Sequence, residues 1–276
     1  MSHPVFIAVA AAVLAVVLLA PVPAAGQAPT AAAATWNPPR TPDGQPDIQG
    51  FWDEQGVNSY DLEEGMSEAH RAISGIQQQN WRRAIVDPAD GKFPYQPWAA
   101  AKKKEIKENY LDPKPEHLDP AARCFLDGVP RLFYQSGWQF LQPPGHVVIL
   151  YEYQHGYRII PVDGRPHTEE TVKLWMGDSR GHWEGNTLVV DVTNNNDQTW
   201  FDVVGSFHSD ALHIVERYTF VDADRIDYEA TIEDPKVYTR PFKIALNFAR
   251  NKQKGFEQLE HACYEGERSV ENMLRR

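Results

Sequence analysis

Short apolar runs separated by turn residues follow one another from the middle of the chain onward, and some of them alternate apolar with polar positions, which is the pattern of β-strands. The segment 225–232 alternates most regularly, and 187–193 is rich in the β-branched residues that strands favour. A Gly-Asn pair before the latter segment predicts a tight turn, so 183–193 is predicted to be a hairpin. Further strands are predicted at 131–134, 138–141, 146–153, 157–162, 212–221, 240–249 and 256–264.

Helical spacing of apolar residues is confined to the N-terminal third and the C-terminal end. It predicts helices at 67–85 and 97–110 and a short helix at 268–274. The Pro- and Gly-rich stretch 36–52 is predicted to be an extended segment on the domain surface. Because strands follow one another without intervening helices, the fold class is mainly β. We expect an antiparallel β-barrel of lipocalin type, or a two-sheet sandwich, with an N-terminal helical and extended arm.

The first residues carry a targeting pattern. Residues 5–20 form an unbroken apolar run followed by small residues, which predicts a signal peptide at 1–26, although no Lys or Arg precedes the run. The run is short for a membrane span. We therefore expect an arm with helices at 27–122 packed on a barrel domain at 123–276. The mature chain is expected in the periplasm or outside the cell, without a membrane span.

Charge and cysteine content narrow the classes of partner. Lys and Arg total 27 against 38 Asp and Glu, and the net charge of -11 argues against nucleic acid or an anionic membrane as the partner. Cys124 and Cys263 are the only cysteines, and in an exported chain they predict a disulfide. A metal or catalytic thiol is the weaker alternative, since neither cysteine belongs to a close ligand cluster.

No nucleotide-binding motif is present, so no organic cofactor is expected. Histidines raise the question of a metal, but none stands in an HxH or HExxH spacing, and a bound metal is kept only as an alternative. The histidines concerned are His155, His167, His182, His208 and His213.

Five segments resemble a large family of secreted bacterial proteins that has no assigned activity. They are PRTPDGQPDIQGFW (39–52), RCFLDGVPR (123–131), GDSRGHWEGNTLVVDVTNNNDQTWFD (177–202), HSDALHIVERY (208–218) and ACYEGERSVENM (262–273). The resemblance covers most of the mature chain and implies export. It supplies no catalytic residues, so the site is predicted from the chemistry of the side chains.

The segment 175–217 is dense in ionisable and aromatic residues and is predicted to contain the site. His182 and His208 are the preferred proton-transfer residues. The carboxylates assigned to the same site are Asp178, Glu184, Asp197, Asp210 and Glu216. Ser179 as a nucleophile is a weaker alternative, because GDSRG does not match the GxSxG elbow of serine hydrolases.

Strand alternation separates Glu216 from its neighbours His213 and Arg217, which share the opposite face. If Glu216 faces the barrel interior, its carboxylate needs a cationic or hydrogen-bonding partner or a raised pKa. It is then either half of a structural ion pair or a general acid/base.

Aromatic and cationic residues are predicted to bind the substrate, because rings stack on flat apolar faces and Arg groups stabilise anions. The candidates are Trp175, Trp183, Trp200, Phe201, Tyr151, Arg158 and Arg217, with Asp197 as a polar contact.

Two functions follow from these predictions. The first is an exported lyase, isomerase or hydrolase that uses acid/base chemistry on a small organic or carbohydrate substrate. The alternative is a non-catalytic periplasmic small-molecule binding protein of lipocalin type. An interaction module is a third possibility if side chains fill the barrel.

Overall fold

The computed structural model describes residues 36–57, 59–64, 82–261, 263 and 271. Within these residues the chain forms ten β-strands and the helix α1. Their bounds are β1 (Gly50–Glu54), β2 (Ile85–Asp87), α1 (Pro97–Glu108), β3 (Trp138–Leu141), β4 (His146–Tyr151), β5 (Tyr157–Pro161), β6 (Asp178–Glu184), β7 (Thr187–Thr193), β8 (His213–Phe220), β9 (Arg225–Glu233) and β10 (Phe242–Arg250).

The strands form a nearly closed antiparallel barrel, as predicted. Nine of them follow the order β5-β4-β3-β1-β10-β9-β8-β7-β6, and β2 adds to β10 beside this path. Each strand on the path is antiparallel to the next. An odd number of such strands makes β5 and β6 run in the same direction where the barrel closes. We call this junction of β5 and β6 the seam.

Alternation along the strands decides which side chains enter the barrel. On β8 the residues Ile214, Glu216, Tyr218 and Phe220 are buried. The residues that alternate with them, from His213 to Thr219, face outward. Aromatic rings occupy much of the interior, which is therefore packed rather than open like the cup of a lipocalin. The fully buried rings on the strands include Trp52, Trp138, Phe140, Tyr218, Tyr228, Phe242 and Phe248.

The predicted strand at 131–134 is wrong, because Arg131–Tyr134 is a 3-10 turn. All four of its residues are buried, which the alternating pattern of a half-buried strand does not allow. The turn places Phe133 against the rings of Tyr218 (5.8 Å between centroids) and Tyr228 (5.4 Å). Phe133 thus closes one part of the interior from a loop.

The N-terminal stretch contributes to the sheet instead of lying on the surface. Strand β1 lies between β3 and β10, and Trp52 is fully buried with its Nε1 donating to the carbonyl of Ile48 (3.1 Å). The large apolar ring explains this position, since it fills the interior opposite Phe140. The helix predicted at 97–110 is confirmed as α1.

The predicted strand at 256–264 is not formed by its described residues, 256–261 and 263, which pair with no strand. Leu259 is 69% exposed there, so the segment has no buried face to support a strand. The signal peptide at 1–26 and the helix at 67–85 lie outside the described residues, except that 82–84 are irregular and Ile85 begins β2. Of the helix predicted at 268–274, only residue 271 is described.

Candidate functional site

A cleft of about 370 Å³ opens at the seam. The seam is tight at one end, where a Cβ added to Gly181 would lie 2.9 Å from Ile160 Cγ2 and 3.0 Å from Val162 Cγ1. It is open at the other end, where β5 and β6 begin. The cleft is lined there by residues of three segments, namely Leu126, His155, Gly156, Tyr157, Arg158, Ile159, Leu174, Trp175, Met176, Gly177, Asp178 and Ser179.

The floor of this seam cleft holds a buried ion pair. Arg158 is 3% exposed and Glu216 is fully buried. Arg158 Nη2 donates to Glu216 Oε2 at 2.6 Å, and Arg158 Nη1 donates to Oε1 at 3.1 Å. Two parallel bonds of this kind fix both groups and make the pair one neutral unit. Burial lowers the pKa of Arg158, but the charge of Glu216, the phenols of Tyr218 and Tyr151 and the hydrogen bond to Glu216 together more than reverse this, so the pKa lies well above its usual value.

Three hydroxyl groups complete the floor. The Tyr218 and Tyr228 hydroxyls donate to Glu216 Oε1 at 2.7 and 2.9 Å. Arg158 Nη2 donates to the Ser179 Oγ at 2.9 Å. Burial first, and the Glu216 charge next, raise the pKa of both phenols well above the usual value, so they remain protonated donors. Glu216 therefore accepts four hydrogen bonds, three at Oε1 and one at Oε2.

The walls of the cleft are mostly apolar. Trp175 stacks on Phe125 with centroids 4.9 Å apart and planes 11° apart. Ile159 is 55% exposed and Tyr157 is 61% exposed on the outer face of β5, beside the opening. Exposed apolar groups grouped around an opening are typical of a ligand site.

The rim is held in a strained turn. Gln154 and His155 both have positive φ angles, 57° and 51°. Such angles are uncommon outside glycine and cost roughly 1 kcal/mol or more each. His155 Nε2 lies 3.3 Å from Glu260 Oε1 of the C-terminal segment. The turn thus presents an imidazole at the rim.

The predicted disulfide is confirmed. Cys124 and Cys263 are joined, 139 residues apart in sequence, close to Leu126 on the cleft wall. The C-terminal segment is further attached where the ring of His261 packs on Tyr153, 4.5 Å between centroids. Both contacts tie the end of the chain to the turn that forms the rim.

The structure brings five of the predicted site residues to the cleft or its floor. Trp175, Asp178 and Arg158 line the cleft. Glu216 lies under Arg158. Tyr151 is buried on β4 beside Phe133, 5.2 Å between ring centroids, and lies close enough to Arg158 and Glu216 for both charges to act on the pKa of its phenol. Glu216 therefore faces inward and forms the ion pair that strand alternation allowed.

His182, Glu184 and Arg217 lie together on the outer face of the barrel. His182 Nε2 is 3.2 Å from Glu184 Oε1, and Arg217 Nη2 donates to Glu184 Oε2 at 2.8 Å. The His182 side chain is 62% exposed and does not line the seam cleft. The three residues form a solvated surface cluster on β6 and β8.

His208 lies elsewhere, fully enclosed in the loop that precedes β8. Its Nδ1 is 2.9 Å from the carbonyl of Ser209, which only accepts, so Nδ1 carries the proton. Its Nε2 then accepts from the Thr199 hydroxyl at 2.6 Å. Burial lowers the pKa of His208, in keeping with this neutral tautomer. No contact among the described residues joins His208 to His182.

The other predicted site residues do not line the seam cleft. Phe201 is buried against His208, 5.3 Å between centroids, and the Trp200 carbonyl accepts from Arg131 Nη1 at 3.4 Å. Trp183 donates from Nε1 to Gln45 Oε1 at 3.1 Å. The exposed carboxylates form surface contacts, Asp197 with Gln198 and Asp210 with Lys236.

A second polar network runs from the cleft to the outer surface. Asp178, on the cleft wall, has Oδ2 at 2.9 Å from His167 Nδ1 and accepts from Arg180 Nη1 at 2.6 Å. His167 Nε2 lies 3.1 Å from Asp191 Oδ1, and Asp191 also contacts His213. No group of three or more His, Cys, Asp or Glu side chains in the described part of the chain is arranged to hold a metal ion.

Another cavity of about 210 Å³ lies beside the 3-10 turn that carries Arg131. Arg131 donates to both oxygens of Asp119, at 2.9 and 2.5 Å. Asp127 lies 3.4 Å from Arg131 Nε, and burial raises the pKa of Asp127 to about 6 although Arg131 opposes the rise. These charges pair with one another and support the loop rather than an open binding site.

Several site residues did not emerge from the sequence as binding groups. Tyr218 and Tyr228 face each other across β8 and β9, and strand alternation places Tyr218 on the same face of β8 as Glu216. That signal was present in the strand pattern. Ile159 and Leu126 carried no such signal, because they reach the cleft only through the closure of the barrel.

No protein-family model matches the chain, and no curated protein matches it. Among the described residues, no helix combines the length and the apolar composition needed to cross a bilayer.

Proposed function

We propose that the chain is an exported protein that binds a small organic molecule in the seam cleft. The observation that carries the proposal is the combination of mostly apolar walls with a buried, hydrogen-bonded floor at Arg158, Glu216 and Ser179. Ligand sites in proteins commonly combine a mainly apolar lining with a few placed polar groups. The volume of about 370 Å³ lies at the small end of their range.

Export is part of the proposal. The disulfide between Cys124 and Cys263 supports it, since such bonds persist in oxidising compartments and are rare in the cytosol. The apolar run at 5–20, with the small residues after it, remains the reason to expect a signal peptide.

The contacts and positions of Glu216, His208 and His182 favour binding without turnover. Glu216 is fully buried, and both of its oxygens accept hydrogen bonds from Arg158, Tyr218 or Tyr228, so its carboxylate is engaged within the protein. His208 has both ring nitrogens occupied, and His182 lies on the outer face. Neither imidazole is placed to exchange a proton with a ligand in the cleft.

An enzymatic function is the second candidate, because of one carboxylate–imidazole pair at the cleft. Asp178 lies on the cleft wall and contacts His167, and a coupled carboxylate and imidazole is a common proton-transfer device. If a bound compound is converted, His167→Ala is expected to abolish conversion while leaving binding. Mass spectrometry of the compound after incubation distinguishes a product from a retained ligand.

A screen of small aromatic and alicyclic compounds by thermal shift tests the binding site. Leu174 lines the cleft and is 38% exposed, so Leu174→Trp adds bulk at the opening without disturbing the core. Leu259→Trp is the matched control, because Leu259 is 69% exposed and does not line the cleft. Compounds should raise the Tm of the wild type and of Leu259→Trp, and fail to raise that of Leu174→Trp. Equal shifts in all three proteins would place binding elsewhere.

A further inference from the structure

We infer that the ligand of the seam cleft is a neutral molecule with a flat apolar body and one hydrogen-bond-accepting oxygen, such as a ketone or lactone carbonyl. This inference rests on the proposed function, and it specifies what that site selects. It follows from the charge, the hydrogen-bonding capacity and the lining of the cleft.

The charge of the floor is already balanced. Arg158 faces both oxygens of Glu216, at 2.6 and 3.1 Å, and both side chains are almost completely removed from water. An anionic ligand would bring a second negative charge beside this neutral pair, with Asp178 also on the wall. A buried charge without a partner is strongly unfavourable, so the cleft disfavours carboxylates.

The hydrogen-bonding capacity left at the floor is that of donors. Glu216 offers no exposed acceptor to a ligand, because its side chain is fully buried and both oxygens already accept hydrogen bonds from Arg158, Tyr218 or Tyr228. The Ser179 hydroxyl accepts from Arg158, and among the hydrogen bonds of the described residues its own hydrogen has no acceptor. Arg158 Nε, which is buried, likewise has no hydrogen-bond partner within the described part of the chain. A ligand atom that satisfies this floor must accept hydrogen bonds.

The side chains that line the cleft select the apolar body of the ligand. Trp175, stacked on Phe125, offers a flat ring beside the aliphatic side chains of Leu126, Ile159 and Leu174. A sugar exposes hydroxyl groups around its whole ring and would leave most of them without partners against such walls. A planar or fused-ring body with a single oxygen at one end matches both the walls and the floor.

Three probes of similar shape test the inference. They are 2-acetylnaphthalene with a neutral carbonyl, naphthalene with no acceptor, and 2-naphthoate with a carboxylate. Dissociation constants measured by calorimetry or by titrated thermal shift should rise in that order. The ketone should bind about fivefold or more tightly than naphthalene, as one net hydrogen bond implies.

Ser179→Ala removes the free hydroxyl with little loss of volume. It should weaken the ketone about fivefold and leave naphthalene within about twofold. Ser59→Ala is the matched control, because Ser59 is partly buried and donates one side-chain hydrogen bond, to Gln135 Oε1 at 2.9 Å, beside the other cavity. It should change neither affinity.

The outcomes separate the two proposals. If 2-naphthoate binds as tightly as the ketone, or if naphthalene does, and Leu174→Trp blocks binding, the cleft is a ligand site and the inferred ligand class is wrong. If Ser179→Ala and Ser59→Ala affect the ketone alike, the assigned donor is wrong. If no probe binds in a way that Leu174→Trp prevents, the proposed function fails and the ligand class fails with it.

Discussion

Arg158 on β5 and Glu216 on β8 meet inside the barrel through two hydrogen bonds of 2.6 and 3.1 Å, although 58 residues separate them in sequence. The pair forms the floor of the seam cleft and holds one side of the seam to the opposite wall. The contributions of this pair and of the tight end of the seam to the free energy of unfolding can each be measured.

Breaking the ion pair should destabilise the fold strongly. Glu216→Ala should lower the free energy of unfolding by about 3 to 5 kcal/mol, because the guanidinium of Arg158 is left buried and unpaired. The double variant Arg158→Met with Glu216→Gln should lose less than Glu216→Ala, since no charge is orphaned and the introduced amide oxygen still accepts from Tyr218 and Tyr228. Equilibrium urea denaturation measures all three proteins.

Arg217→Met is the control for that series. Arg217 is the next residue on β8, but its side chain is 41% exposed and pairs with the exposed Glu184. Its loss should leave the urea midpoint nearly unchanged. A loss as large as that of Glu216→Ala would contradict the distinction between the inner and outer faces of β8.

Glu54 should make the protein more stable as the solution becomes mildly acidic. Burial raises the pKa of Glu54 to about 7, against 4.5 for the ordinary group, although Val57 and Arg82 oppose the rise. Between these two values the folded chain holds a proton that the unfolded chain has released. The free energy of unfolding due to this group therefore rises as the pH falls from about 7 toward 4.5, by on the order of 1 to 3 kcal/mol.

Glu54→Gln should remove that contribution. Measured by urea denaturation from about pH 8 to about pH 5, the wild type should gain more stability than the variant, and the variant should be the more stable protein at the alkaline end. Glu233→Gln, at an exposed position at the end of β9, is the control and should keep the wild-type slope. Parallel curves for wild type and Glu54→Gln would show that Glu54 is ionised in the folded state.

The disulfide should contribute substantially to stability. The Cys124→Ser, Cys263→Ser double variant frees a loop of 139 residues, which the chain-entropy model values at up to about 5 kcal/mol. The denaturation midpoint of the wild type should fall when reductant is added, whereas that of the double variant should not respond. Identical midpoints for oxidised and reduced wild type would show that the bond adds no stability.

Gly181 should be required for the tight end of the seam. Gly181→Ala places a methyl group 2.9 Å from Ile160 Cγ2 and 3.0 Å from Val162 Cγ1, and overpacking of this kind costs about 1 to 3 kcal/mol. In an Ile160→Ala background the same substitution should cost clearly less, because the contacted atom is gone. A cost that is equal in both backgrounds would mean that the methyl group finds space without moving β5.

The strand pattern predicted much of the fold because its cause is local. Successive side chains of a strand point to opposite faces whatever lies around them, so the face of Glu216 and of Tyr228 followed from their neighbours in sequence. The 3-10 turn at Arg131–Tyr134 was missed for the converse reason. Its buried Phe133 fills a space that distant strands create, which the neighbouring residues in sequence do not encode.

The candidate site was likewise predicted only in part. Of the acids and imidazoles predicted around 178–217, Asp178 lines the seam cleft and Glu216 lies at its floor, whereas His182, Glu184 and Arg217 lie on the outer face. Sequence spacing describes which face a residue occupies, and it carries no information about which side of a sheet becomes the inside of a barrel next to a given loop.

By itself the sequence determined the antiparallel strands, the grouping of Ile214, Glu216 and Tyr218 on one face of β8, and the pairing of Cys124 with Cys263, because alternation and the presence of only two cysteines leave few choices. Only the tertiary structure decided that β5 closes against β6, that Arg158 faces Glu216, and that a cleft remains where the two strands separate. Closure depends on the order and twist of nine strands together, which no single segment encodes.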